Sequence, residues 1–98
     1  MKAALFISKN KGERMEEKLI GKVKHFYGRP SVGMIELTDA LKVGDTIRIK
    51  GSVVDLTQQV LSMRIEFTDV TEAKAGDVIG VKVEQKVHVH DSVYKVLG

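Results

Sequence analysis

A short pattern occurs twice in this chain and a third time in altered form. LKVGDTIRIK spans residues 41–50 and AKAGDVIGVK spans residues 73–82, with Lys, Gly, Asp, Ile and Lys at the same places. A degraded copy lies in VHDSVYKV, residues 89–96, where His90 replaces the glycine before Asp91. Glycine supplies positive φ and aspartate can accept backbone N–H groups, so each copy predicts a turn that leads into a strand. Equivalent corners suit short antiparallel strands that close into a barrel and leave no free edge.

Alternating apolar residues and turn residues extend this prediction over most of the chain. The β-branched enrichment and frequent glycines disfavour helices of normal length. We therefore predict six strands, at residues 19–27, 32–37, 45–50, 57–67, 77–84 and 91–97. The alternation places one set of side chains in the core, namely Ile47, Ile49, Leu61, Met63, Ile65, Phe67, Ile79, Val81 and Val83.

Length and composition set the remaining bounds. A chain of 98 residues without cysteine predicts one domain without disulfides, and the cytoplasm is the expected location. No stretch approaches the roughly 20 apolar residues that span a bilayer, so we expect no membrane association. Residues 1–18 hold five bases against three acids and no alternation, which predicts a basic, flexible arm before a β-barrel domain at residues 19–98. Met15 is a candidate for an alternative start of translation.

Several motifs resemble domain 2 of the elongation factor Tu family, in order and in spacing. They are GKV at 21–23, LKVGDTIRIK at 41–50, TQQVLSMRI at 57–65, AKAGDVIGVKV at 73–83 and DSVYKV at 91–96. The resemblance implies a six-stranded closed antiparallel Greek-key β-barrel. In the family, this barrel follows a GTPase domain and helps to hold the aminoacyl end of transfer RNA. The chain has no Gly-x-x-x-x-Gly-Lys-[Ser/Thr] motif, so we expect no GTP binding by it alone. Arg64 falls where elongation factor Tu has a glutamate at the terminal-adenosine pocket, and an arginine there can grip phosphate or stack on a base.

Three groups of residues are candidate sites. His88, His90 and Asp91 offer metal-ligand chemistry, although a polar outward face of a strand explains them without a metal, and we expect no cofactor. In HFYGRPSVG, residues 25–33, Phe26 or Tyr27 can stack on a base or one of them can fill the end of the barrel; we favour the second reading. Outward-facing cations form a nucleic-acid-binding patch if the strands bring them together, and otherwise solvate the barrel; they are Lys22, Lys24, Arg29, Arg48, Lys50, Arg64 and Lys82.

No arrangement of residues characteristic of an active site is present, so the sequence predicts a binding module and not an enzyme. The first hypothesis is a stand-alone barrel related to translation factor domain 2 that binds transfer RNA, ribosomal RNA or a ribonucleoprotein. The alternative is a barrel for protein–protein interaction or self-association without nucleic-acid binding. Similar barrels occur as domains appended to larger proteins, some collagenase-like peptidases among them. A metal-dependent enzyme using the two histidines and Asp91 is a third reading.

Overall fold

The computed structural model describes the backbone of residues 5–10 and 13–97 and the side chains of residues 16–97. Over these residues the chain is all β, every ladder is antiparallel, and no helix is formed. The strands are β1 (Leu5–Asn10), β2 (Glu13–Tyr27), β3 (Val32–Leu37), β4 (Leu41–Lys42), β5 (Thr46–Lys50), β6 (Asp55–Gln59), β7 (Met63–Ile65), β8 (Thr68–Val70), β9 (Glu72–Ala73), β10 (Val78–Lys82) and β11 (Ser92–Val96).

The main sheet follows the order β6-β5-β11-β2-β3-β10-β7-β8, with β1 beside β2, and β4 pairs separately with β9. Its backbone ladder does not close, because β6 and β8 stand at its two ends. The amide of Gln58 in β6 donates to the Lys82 carbonyl at 2.8 Å and accepts the Glu84 N–H at 2.9 Å. A single side chain therefore links β6 to the end of β10, where a closed barrel has a backbone ladder. The all-β antiparallel class is confirmed, whereas the closed six-stranded Greek-key barrel is not.

The three corner turns have the same hydrogen bonds. They span Lys42–Asp45, Lys74–Asp77 and His88–Asp91, and in each the fourth residue donates its N–H to the first carbonyl, at 3.0, 3.0 and 3.1 Å. The aspartate carboxylate in turn accepts the N–H of the first residue, at 3.0, 2.9 and 2.8 Å. The third residue has a φ of 101°, 95° and 78°, as a type II turn requires, and in the last turn that residue is His90. The prediction of equivalent corners is confirmed.

The corners feed strands whose apolar residues meet in one core. Ile47, Ile49, Ile79 and Val81 are all buried, as the alternation predicts. Phe26 is half-buried and packs against the same cluster. Burial of such residues is the main favourable contribution to folding in a chain of this size.

The predicted strand 57–67 is divided, and two of its expected core residues are wrong. In β6 the inward positions are Leu56 and Gln58, but in β7 the inward residue is Met63, so the alternation changes phase between the two strands. Leu61 lies in the break and is 78% exposed, while Phe67 lies beyond β7 and is 95% exposed. Leu61 follows the phase of β6, in which Val60 is buried, and therefore points outward. Phe67 points outward because it lies in the turn between β7 and β8, where the alternation of a strand no longer holds.

Part of the predicted arm forms strands. Leu5–Asn10 pairs with the first residues of β2 in an antiparallel ladder from Asn10↔Glu13 to Leu5↔Lys18. Residues 1–4, 11, 12 and 98 lie outside the described part of the chain, and the division into a flexible arm and a domain stays a prediction. Within the described ranges, no helix is long and apolar enough to cross a membrane.

Candidate docking site

A concavity of about 700 Å³ lies on the outer face of β3, β10 and β7. The register explains its position: Val32 pairs with both Tyr27 and Lys82, and Gly80 pairs with both Met34 and Arg64. Residues in register on one face of a sheet are neighbours, so these side chains form a continuous outward surface. The concavity is lined by Tyr27, Arg29, Pro30, Val32, Met34, Ser62, Arg64, Glu66, Phe67, Val78, Gly80 and Lys82.

The floor of this concavity is aliphatic because Gly80 has no side chain. A Cβ at Gly80 would lie 3.4 Å from the Met34 sulfur and 3.4 Å from a Val32 methyl carbon, so both side chains lie across the glycine. Thioether and branched aliphatic groups give a surface that many apolar ligands can fill. The middle of the outer face is therefore both recessed and apolar, whereas the solvent side of an antiparallel sheet is usually polar.

An exposed phenylalanine stands at one rim. β7 and β8 form a hairpin whose last pair is Ile65↔Thr68, and Glu66 and Phe67 form its two-residue turn with φ of 49° and 69°. Turns with two positive φ values usually hold Asn, Asp or Gly there. A left-handed conformation costs a residue with a Cβ roughly 1–2 kcal/mol. The hairpin thus holds the Phe67 ring outside the core, at 95% exposure, beside the aliphatic floor.

The opposite rim comes from the loop between β2 and β3. Tyr27 is 52% exposed and packs edge-on against His25, with ring centroids 4.3 Å apart. The peptide bond between Arg29 and Pro30 is cis. Of the two aromatics in this stretch of sequence, Phe26 joins the core and Tyr27 lines the concavity.

The structure brings together three of the seven predicted cations. Arg29, Arg64 and Lys82 line the concavity, and Arg64 donates from Nε to Asp69 at 2.8 Å. Lys24 instead lies 3.5 Å from a carboxylate oxygen of Glu36. The remaining three are outside this surface: Lys22, Arg48 and Lys50.

Arg48 has a structural role. It donates from Nε and Nη2 to the Asp55 carboxylate at 2.8 and 2.7 Å, and from Nη1 to the Glu17 carboxylate at 3.2 and 3.1 Å. The hydrogen bond to Asp55, aided by Glu17, raises the pKa of Arg48 despite its partial burial. The same bond holds the pKa of Asp55 below its usual value. Since Glu17 is only 4% exposed, the Arg48 guanidinium neutralises a buried carboxylate in the fold.

The histidine candidates belong to the third corner turn. Asp91 is 8% exposed, and its carboxylate accepts the His88 backbone N–H at 2.8 Å. The His88 Nδ1 lies 3.9 Å from the same carboxylate oxygen. Among the residues that the structure describes, no three His, Cys, Asp or Glu side chains group so as to hold a metal ion. The carboxylate of Asp91 therefore shapes the turn.

Comparison with solved structures defines the class of this fold. The C-terminal domain of a protein described as a U32 peptidase from Geobacillus thermoleovorans superposes with a TM-score of 0.74 at 15% identity, covering 79% of this chain and 90% of that one. The selenomethionine variant of that domain gives a TM-score of 0.73 at 14% identity, covering 76% and 95%. At this level of identity the likeness establishes the fold.

A curated protein resembles the chain at the level of sequence. An uncharacterized protease of Methanocaldococcus jannaschii is 45% identical over 76 residues, which are 76% of this chain and 19% of the protease. The chain thus spans about a fifth of the length of this relative. No family model matches.

These comparisons overturn the translation-factor interpretation. The predicted kinship with elongation factor Tu domain 2, and with it the translation-factor RNA-binding module, is wrong, because the similar proteins are a protease and a peptidase domain. The alternative of a protein-interaction domain stays a prediction. The motifs that carried the resemblance are largely the corner turns, which define strand geometry and no ligand. The prediction that the chain is not an enzyme also lacks support, since the curated relative is named a protease.

No pattern in the sequence identifies Phe67 as a surface residue. The alternation assigns it to the core, and the turn Glu66–Phe67 lacks the Asn or Gly that identifies a two-residue hairpin. The change of phase between β6 and β7 does not reveal it either, because Met63 and Ile65 point inward and would place Phe67 inward as well. The exposure of Phe67 comes from the turn that follows β7.

Proposed function

We propose that this chain is an accessory domain of a U32-type peptidase and that it binds polypeptide in the concavity on β3, β10 and β7. The sequence likeness to a protease and the structural likeness to a peptidase C-terminal domain support the peptidase context. The concavity supports a binding role within that context, with the chemistry of peptide-bond cleavage carried elsewhere in the protein.

The exposed Phe67 ring is the observation that carries this proposal. Its ring contributes almost nothing to the core at 95% exposure, and its backbone is held in an unfavourable conformation. Strained, exposed aromatics beside an apolar surface are typical of binding sites, because burial by a ligand recovers the apolar contact that the fold does not make. Tyr27 on the facing rim offers a second ring of the same kind.

Binding of an unfolded polypeptide tests the proposal. Dephosphorylated β-casein, labelled with a fluorophore, is titrated with the purified chain and followed by anisotropy. Full burial of a phenylalanine contributes about 1.5–3 kcal/mol, so Phe67→Asn should weaken binding by about tenfold or more. Asparagine tolerates the left-handed turn, so the hairpin of this variant is retained.

Leu61→Asn is the matched control. Leu61 is also an exposed apolar residue, at 78%, but it does not line the concavity, so this variant should bind like the parent chain. Absence of binding at about 100 µM protein, or equal losses in both variants, would refute a polypeptide site at this surface.

A further inference from the structure

We infer that the concavity selects polypeptide segments in which a large apolar residue has carboxylates next to it on one side. The inference rests on the proposed function and adds the chemistry of the ligand. In this arrangement the apolar side chain lies on the floor formed by Val32, Met34 and Val78, between the Tyr27 and Phe67 rims. These carboxylates meet Arg29 and Lys82.

The two cations lie at the same end of the concavity. Lys82 is opposite Val32 in the β10–β3 ladder, and Val32 is opposite Tyr27 in the β3–β2 ladder. Arg29 belongs to the loop that joins Tyr27 to Val32, so it lies near this row. One end of the apolar floor is therefore bordered by two positive charges.

These charges are available to a ligand. Within the described residues, neither Arg29 nor Lys82 has an ion pair, while Arg64 is paired with Asp69 and Lys24 with Glu36. The lining holds three cations and a single acid, Glu66. The surface is thus complementary to a negative segment.

An acidic peptide fits this surface better than a nucleic acid does. Nucleic-acid sites follow the backbone with several cations and stack successive bases on aromatic rings. Among the described residues that line the concavity, only Arg29 and Lys82 are cations without an ion pair, and the floor is aliphatic, with the Met34 thioether across Gly80. Such a floor accommodates Phe, Leu or Met side chains, and a charged end next to it fixes the orientation of the peptide.

Short labelled peptides of three kinds test the inference by anisotropy at low salt. The first has Phe and Leu flanked by Asp and Glu, the second keeps Phe and Leu with Lys flanks, and the third keeps the acids with Ser at the centre. The first should bind about tenfold or more tightly than either of the others. Arg29→Glu and Lys82→Glu should each reduce its affinity by about tenfold, whereas Lys74→Glu, an exposed corner residue outside the concavity, should not.

Each outcome decides between the two proposals. Equal binding of the acidic and basic peptides, with loss in Phe67→Asn, would overturn the charge selection and leave polypeptide binding intact. Failure of every peptide and of β-casein would refute the proposed function itself. Tighter binding of an oligouridine than of the acidic peptide, lost in Arg29→Glu, would identify a nucleic-acid site and overturn the inference.

Discussion

Replacing His90 by glycine should stabilise the chain. The third corner turn holds His90 at a φ of 78°, where the two equivalent turns have Gly44 and Gly76. The left-handed conformation costs a residue with a Cβ about 1–2 kcal/mol, and the greater freedom of glycine in the unfolded chain offsets about 0.5–1 kcal/mol of that. His90 is exposed, and no hydrogen bond or ion pair of its side chain occurs in the described structure. The expected net gain is therefore about 0.5–1 kcal/mol.

Thermal and urea unfolding measure this gain, which corresponds to about 2–8 °C in Tm for a domain of this size. The matched variant is Gly76→His, because a Cβ at Gly76 would meet no atom within 4 Å and only the backbone conformation opposes it. The two changes should be equal in size and opposite in sign within about 0.5 kcal/mol. A neutral or destabilising His90→Gly, with a costly Gly76→His, would refute the equivalence of the turns.

Two further predictions concern the ion pairs of Arg48. Arg48→Met should destabilise the chain by about 3–5 kcal/mol in urea unfolding, since it leaves the Glu17 carboxylate buried without a partner. The control is Lys50→Met, because Lys50 is an exposed cation on the same strand, and it should change stability by less than about 0.5 kcal/mol. The pKa of Asp55 is lowered in the folded chain, so its contribution to stability is present above the ordinary carboxyl pKa and is lost as the pH falls through the lowered value. The stabilities of the parent and of Asp55→Asn should therefore differ near neutral pH and converge in acid. A constant difference across a pH series of urea melts would argue against this pair.

Much of the fold follows from short-range patterns. The corner turns depend on a residue with positive φ and on an aspartate that reaches back three residues, and both are legible in Lys42–Asp45 and Lys74–Asp77. The alternation that follows each turn places Ile47 and Ile79 in the core without knowledge of the rest of the chain. Even the third turn could be predicted, since histidine is among the residues that enter the left-handed region more often than most.

Features of the fold that depend on distant parts of the chain could not be predicted from the sequence. Closure of the sheet depends on whether β6 contacts β10 through a backbone ladder or through the Gln58 amide, and no local sequence pattern predicts which of the two occurs. The site depends on register: Lys82 and Tyr27 are 55 positions apart in the sequence and become neighbours only because both pair with Val32. The family was misread because the corner motifs specify a shape that unrelated activities can share.

Phe67 and His90, two exposed side chains at positions with positive φ, differ in what they imply. Histidine enters the left-handed region more often than most residues, and the polar imidazole of His90 is solvated in its exposed position, so no ligand is needed to explain it. Phe67 does not tolerate that conformation well, and at 95% exposure its ring offsets little of the cost from within the fold. An apolar ligand that buried the ring would return about 1.5–3 kcal/mol, more than the roughly 1–2 kcal/mol of the turn. The conformation of Phe67 is therefore accounted for once the concavity is occupied, and this balance is why we place the function at that hairpin.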